Sequence, residues 1–225
     1  MPAGRYVYCF VPPGHAPPAG LTGVSDAPVV AMDVAAVAAW LSPLERRPDA
    51  ALDAVRAHNR VVERAMTETV TPVPLRFGQW FPTEAAAVLA AERDSTQWCE
   101  LLARFAGAAE YGLRILSPDG AARLLHRERT GGGAAYLRSR ARDRVGALDE
   151  AGRAAADLVR ERLGRHTRAE KARPSTNVSG GIEVAHLVAH EQREPYLAGV
   201  EALRAEHSQL RFLSSGPWPP YSFVP

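Results

Sequence analysis

Lysine is nearly absent from this sequence. Lys171 is the single one among 27 cationic side chains, the other 26 being arginine. A P-loop ends in Gly-Lys-Ser/Thr, so Thr130-Gly131-Gly132-Gly133, with no lysine beside it, is not one. Cysteine is almost as scarce. Cys9 and Cys99 lie far apart in apolar segments, which fits buried thiols in a reducing compartment. Neither has a histidine at helical or strand neighbour spacing, and no G-x-S-x-G elbow is present, so nucleophilic catalysis lacks its parts. An excess of one charge is missing too: a net +2 is too little to draw a nucleic acid by electrostatics alone. No apolar run reaches the roughly 18 residues a membrane span needs. The N-terminus lacks the basic and then apolar regions of a signal peptide. The expectation is a cytoplasmic protein that engages no lipid membrane.

What is present is an ordinary globular balance, 46% hydrophobic against 23% charged. A chain of this length buries roughly 70% of its unfolded surface and forms one or two domains. The arginine skew, with abundant alanine, has the look of a GC-rich coding bias, although arginine also suits interface ion pairs. No internal repeat or low-complexity segment is visible.

Residues 5–11 alternate aromatic and β-branched side chains, which predicts a strand ended by Pro12-Pro13-Gly14. Residues 28–32 read as a second strand, followed by a brief helix capped by Asp33 and running to Leu41. A helix over 49–66, capped by Asp49, puts Leu52, Val55, Asn59, Val62 and Met66 on one face. Thr67, Thr69, Thr71 and Pro72 stop it, and residues 73–81 read as a short strand with a tight exit. Pro72 and Pro74 put their missing N–H groups on one edge. Either that edge is unpaired or the ladder begins at Leu75. Thr83 opens a longer helix through Phe105, interrupted by a polar stretch, and residues 110–116 form another strand. Gly131, Gly132 and Gly133 release a helix over 134–165. Strands follow at 171–174 and 182–189, then a helix from Pro195 and a closing strand at 210–213, ended by Gly216-Pro217. From residue 110 the order is βαββαβ, the ferredoxin-like arrangement. The expected class is α+β, with two small α/β sandwich-type domains. Residues 1–106 form the first; residues 107–225 form a ferredoxin-like second, with a long first helix and an aromatic, proline-rich tail.

His186 and His190 share one face of the strand over 182–189, but lie ~13 Å apart in extended chain, too far for one ion. A helical segment would close the gap, yet no third ligand stands out. No metal is expected. Thr130 and its glycines could offer amides to a phosphate, against a default of flexible entry to the long helix. Acids are scattered, so no catalytic residue and no cofactor is assigned. The sequon Asn177-Val178-Ser179 carries no meaning in the cytoplasm. Arg123, Arg127, Arg129, Arg138, Arg140, Arg142 and Arg144 point around their helix and read as solvated. His58 and Asn59 interrupt an apolar face, and the plain account is hydrogen bonding to backbone at a neighbouring strand end. Residues 75–81 interleave aromatics with a base as base-stacking strands do, and a ferredoxin-like sheet also serves RNA recognition. Their flanks, however, carry acids as freely as bases, and no nucleic-acid partner is expected. In the tail, Trp218, Tyr221 and Phe223 alternate with prolines; it either folds back as a lid or presents aromatic anchors.

Four blocks recur in order: RYVYCF at 5–10, HNRVVE with TPVPLRFGQWF across 58–81, GGGAAYL at 131–137 and GPWPPYSF at 216–223. Together they resemble the gas vesicle protein F/L family (GvpF/GvpL). The resemblance implies a protein needed to build gas vesicles and not known as an enzyme. Its implied partners are the small, hydrophobic major shell protein and other gas vesicle accessory proteins. It would act in the cytoplasm, at the shell, as an assembly factor or a minor wall component. The first domain is expected to bind the shell protein. The expected contact residues are Leu75, Arg76, Phe77, Trp80, Phe81, Trp218, Tyr221 and Phe223, since sheet edges and aromatic anchors accept apolar chains. The rival class is a ferredoxin-like module for a nucleic acid or a small molecule. Steep salt dependence would mark the first and a pocket of converging polar groups the second.

Overall fold

In the computed structural model, which describes residues 4–67, 70–116, 150–175 and 181–225, strand β1 (Gly4–Val11) organises the first sheet. All of β1 except Arg5 is buried, which its nearly continuous apolar run anticipates. On one side it pairs with β3 (Val37–Leu44), which in turn pairs with β2 (Val30–Val34). On the other side stand two short strands, β4 (Val73–Pro74) and β5 (Trp80–Phe81). All these pairings are antiparallel. The register slips between Val7 and Cys9. That bulge lets Tyr6, Tyr8, Cys9 and Val11 line the same core. Helix α1 (Leu52–Ala65) covers this side through Ala57, His58, Val61, Val62 and Ala65. Helices α2 (Glu84–Arg93) and α3 (Ser95–Phe105) serve the other: Phe10 stacks on Trp98 at 4.9 Å, and Arg5 pairs with Glu84 at 2.7 Å.

The second sheet follows β6 (Ala108–Leu116), α4 (Glu150–Leu163), β7 (Ala169–Pro174), β8 (Ile182–Ala189), α5 (Arg193–Glu206) and β9 (Arg211–Trp218). Its strand order, β7-β8-β6-β9, is that of a ferredoxin-like domain. Its core holds Leu113, Ile115, Val159, Leu163, Val184 and Tyr196. The fold is therefore α+β with two α/β units. By contact, Met1–Ala109 and Trp218–Pro225 form one unit and Glu110–Pro217 the other. The tail thus joins the first unit, whereas the sequence order groups it with the second.

Several elements differ from expectation, each for a local reason. Residues 33–41 are not a helix capped by Asp33. They turn at Ala35-Ala36, with Ala35 at φ 52°, and return as β3. Alanine's helix preference is worth at most about 1 kcal/mol per residue. The stretch from Val37 to Ser42 instead gains almost complete burial between two strands. Asp49 does not cap α1: the N-cap is Ala51, with no side-chain hydrogen bond, and the Asp49 carbonyl accepts from Ala51 in a turn. The inner face of α1 is offset from the expected stripe, for Leu52 is 45% exposed and Asn59 lies open. Small Ala57 and Ala65 sit there instead. The helix expected over 83–105 is two helices, broken at Asp94 (φ −110°, ψ 19°) in the polar stretch. Leu75 N–H donates to the Tyr8 carbonyl at 2.9 Å, so the edge carrying the Pro72 and Pro74 nitrogens is the one turned from β1. Strand β9 continues past Gly216 to Trp218. The expected helix over 134–165 is described from Glu150 on. Its earlier part, the Thr130–Gly133 phosphate reading, the arginines between 123 and 144 and the sequon at Asn177 lie outside the described residues.

Candidate functional site

Strand β1 and helix α1 bring Tyr6 and His58 together under the turn that joins β4 to β5. The Tyr6 hydroxyl lies 2.9 Å from His58 Nδ1, and His58 Nε2 lies 2.9 Å from the Leu75 carbonyl. A carbonyl can only accept, so Nε2 carries the proton and Nδ1 accepts from the phenol. The phenol oxygen accepts in turn from Gly78 N–H at 3.1 Å. Gly78 holds φ 98°, a conformation that glycine adopts without a Cβ penalty. Tyr6 and His58 are fully buried. Burial draws the His58 pKa down to about 4, the Leu75 hydrogen bond opposing, so the ring is neutral at neutral pH. Burial pushes the Tyr6 phenol up, so it keeps its proton.

The rest of the segment is fixed in the same way. Phe77 packs on Tyr6 and His58, each at 5.8 Å between ring centroids. Trp80 Nε1–H donates to the Leu44 carbonyl at 3.1 Å, and Val7 N–H donates to the Gln79 carbonyl at 2.9 Å. In the tail, Tyr221 donates to Asn59 Oδ1 at 3.1 Å and burial raises its phenol pKa. Asn59 thus meets a side chain, while His58 meets strand backbone. Of the expected contact residues, Arg76 and Trp218 are open to solvent and Phe223 is buried. Leu75, Phe77, Trp80, Phe81 and Tyr221 are half-buried. The structure brings Phe77, Trp80 and Tyr221 onto one core.

Two polar side chains, Tyr8 and Ser42, were not singled out from sequence. Tyr8 donates to Ser42 Oγ at 2.9 Å and accepts from Val24 N–H at 2.9 Å. Gly23 makes room for it, since a Cβ there would stand 2.0 Å from the Tyr8 oxygen. The available signal was the pair of tyrosines two apart in RYVYCF, on one face of a buried strand, where each hydroxyl needs a partner.

The second unit has a related network. His186 is fully buried, 3.0 Å from the Tyr196 hydroxyl and 3.4 Å from Glu170 Oε2. Glu170 also accepts from Arg160 at 2.8 Å. The hydrogen bond from His186, against the cost of burial and aided by Arg160, holds the Glu170 carboxyl below its ordinary range. His190 lies past the strand end, in the turn before α5. Among the described residues, no group of three or more His, Cys, Asp or Glu is placed to hold a metal. Among them, too, no helix is long and apolar enough to cross a membrane.

These networks hold chain in place; their titratable members face one another or backbone. A family model described as gas vesicle synthesis protein GvpL/GvpF matches residues 4–225. The chain belongs to the GvpL/GvpF family. It is 29% identical to gas vesicle protein F2 of Halobacterium salinarum over 175 residues, 76% of this chain and 68% of that protein. To gas vesicle protein L1 of the same organism it is 28% identical, over 99% of this chain and 90% of that protein. The crystal structure of GvpF from Anabaena superposes with a TM-score of 0.73 over 99% of this chain and 96% of that one, at 17% identity. GvpF from Microcystis aeruginosa gives 0.68 at 20% identity, over 98% of both chains. Both GvpL/GvpF likenesses therefore span the two units.

Proposed function

We propose that this GvpL/GvpF-family protein binds the major gas vesicle shell protein during nucleation or growth of the vesicle, keeping it soluble or in register, and makes or breaks no covalent bond. It works in the cytoplasm at the shell, beside other gas vesicle accessory proteins. Binding runs through the first unit, including residues 72–81. The observation that carries this reading is the immobilised 75–81 segment. Hydrogen bonds at Leu75, Gly78 and Trp80 hold it, while Arg76 faces solvent and Leu75 and Phe81 stay partly open. A surface already ordered before the partner arrives spends less of its contact energy on ordering. An unpolymerised apolar subunit, for its part, needs its edges and faces covered.

The test is capture of tagged shell protein co-expressed with this chain, followed by fractionation of purified vesicles. Wild-type protein is expected to co-purify with shell protein, and Arg76→Glu or Leu75→Asp to capture several-fold less. Equal capture by both variants would remove residues 72–81 from the interface. No capture by the wild type would overturn the function itself.

A further inference from the structure

Strand β2 is the outermost strand of the first sheet. It pairs with β3 in the register Val30–Leu41, Met32–Ala39 and Val34–Val37, across the two-residue turn Ala35-Ala36. In such a hairpin the residues flanking the turn exchange hydrogen bonds and every second pair repeats them. Val30, Met32 and Val34 therefore spend their backbone groups on β3, while those of Ala31 and Asp33 point outward. The preceding outward residue confirms the alternation: Val29 N–H donates to the Leu21 carbonyl at 3.0 Å. Beyond it, neither Ala31 nor Asp33 has an outward partner among the described residues.

The side chains flanking this edge are apolar on one face. Val30 is 46% exposed. With Met32, Leu41 and Pro43 it lines a groove of about 240 Å³, bounded by the Arg5–Glu84 ion pair. Those two charges satisfy each other at 2.7 Å, so the groove asks for no charged group. The remaining charge on the strand is Asp33, exposed, on the opposite face from Val30 and Met32, with no ion pair among the described residues. Natural edges are commonly guarded by lysine, proline or a bulge. From Val29 to Met32 this edge has none of them.

We propose that this edge takes up an extended segment of the shell protein by strand addition; the identity of the occupant rests on the function proposed above, the mode of binding does not. The edge specifies its guest. The alternating outward amides and carbonyls at Ala31 and Asp33 demand an extended backbone. Residues of the guest opposite Val30 and Met32 fall on the groove face and are apolar. The guest residue that meets Asp33 is basic, which fixes register through charge complementarity.

The experiment uses the full chain co-expressed with tagged shell protein. Ala31→Pro removes an outward N–H and leaves the β3 ladder intact; Val30→Lys puts a charge over the groove at an exposed position. Each is expected to lower captured shell protein at least tenfold with unchanged thermal melting. In the wild-type complex, amide exchange at residues 31 and 33 slows at least tenfold. If the wild type captures shell protein, but Val30→Lys captures as much and both amides exchange as fast as in the free protein, the edge is not the site and the function stands. If the wild type captures none, the function falls first. If the chain alone forms a dimer that Ala31→Pro dissolves, the edge belongs to a second copy and the proposal is overturned.

Discussion

His58→Phe tests the turn-holding network directly. The substitution keeps a flat ring of similar size in a fully buried position, but removes the hydrogen bonds to the Leu75 carbonyl and the Tyr6 hydroxyl. Each buried polar group left without its partner costs about 1–3 kcal/mol. The Tyr6 oxygen still accepts from Gly78, so the loss at neutral pH is about 2–5 kcal/mol. A second signature follows from the imidazole. Its pKa falls from 6.5 in the unfolded chain to about 4 in the fold. Between these values the unfolded state binds more protons, so stability drops as pH falls through that window and is fully retained above it. The drop attributable to His58 is about 3 kcal/mol. The variant lacks it, so the gap between wild type and variant should be widest at pH 7 and shrink toward pH 4. Urea unfolding followed by tryptophan fluorescence reads this out, since Trp40, Trp80, Trp98 and Trp218 all belong to the first unit. A variant within 1 kcal/mol of wild type at pH 7, or a gap that does not narrow on acidification, would refute the assigned network.

Gly23→Ala should cost about 1–3 kcal/mol, since the added Cβ meets the Tyr8 oxygen and one of the two groups has to move; a melting temperature unchanged from wild type would show that the site yields freely. Glu170→Gln removes the charge that pairs with Arg160 and that faces His186 at 3.4 Å, and should cost about 1–2 kcal/mol at neutral pH. Because the folded carboxyl titrates below its ordinary 4.5, its contribution is present above that value and is lost as pH falls beneath it. Wild type and variant should therefore converge in acid; parallel acid-unfolding curves would exclude the pairing.

The ferredoxin-like half was legible because each of its strands is bounded by glycine, proline or a polar turn, and the order βαββαβ admits few topologies. The first unit was harder. Its β2–β3 hairpin turns on two alanines rather than Asn-Gly, and β3 carries Ala38 and Ala39, so nothing local opposes a helix. Burial between β1 and β2 decides it, and burial is a tertiary fact. The stripe on α1 was misplaced for a related reason. A helix lying close to a sheet buries small residues, and Ala57 and Ala65 weigh little in a hydrophobic pattern. His58 was legible as a backbone-bonded histidine because a buried imidazole must find partners. Its bond to Tyr6 was not, since those residues stand 52 apart and only the sheet brings them together.

The two phenol–imidazole pairs differ in what the second ring nitrogen holds, and the difference bears on the proposed function. In the second unit it is a carboxylate that also engages Arg160, so the network ties secondary-structure elements together. In the first it is the carbonyl of Leu75, and the phenol reaches the amide of Gly78. Both contacts clamp the backbone of one four-residue turn, so Arg76 is presented from a fixed geometry. Surface turns commonly satisfy their backbone with water, so a buried clamp on this turn fits the proposed binding role. In the proposed complex, ordering that turn during folding would take its conformational entropy out of the binding step, where each immobilised side chain would otherwise cost about 0.5–1.5 kcal/mol. Loosening the clamp should therefore weaken capture of shell protein even where Arg76 and the β2 edge are untouched, which separates preorganisation from direct contact.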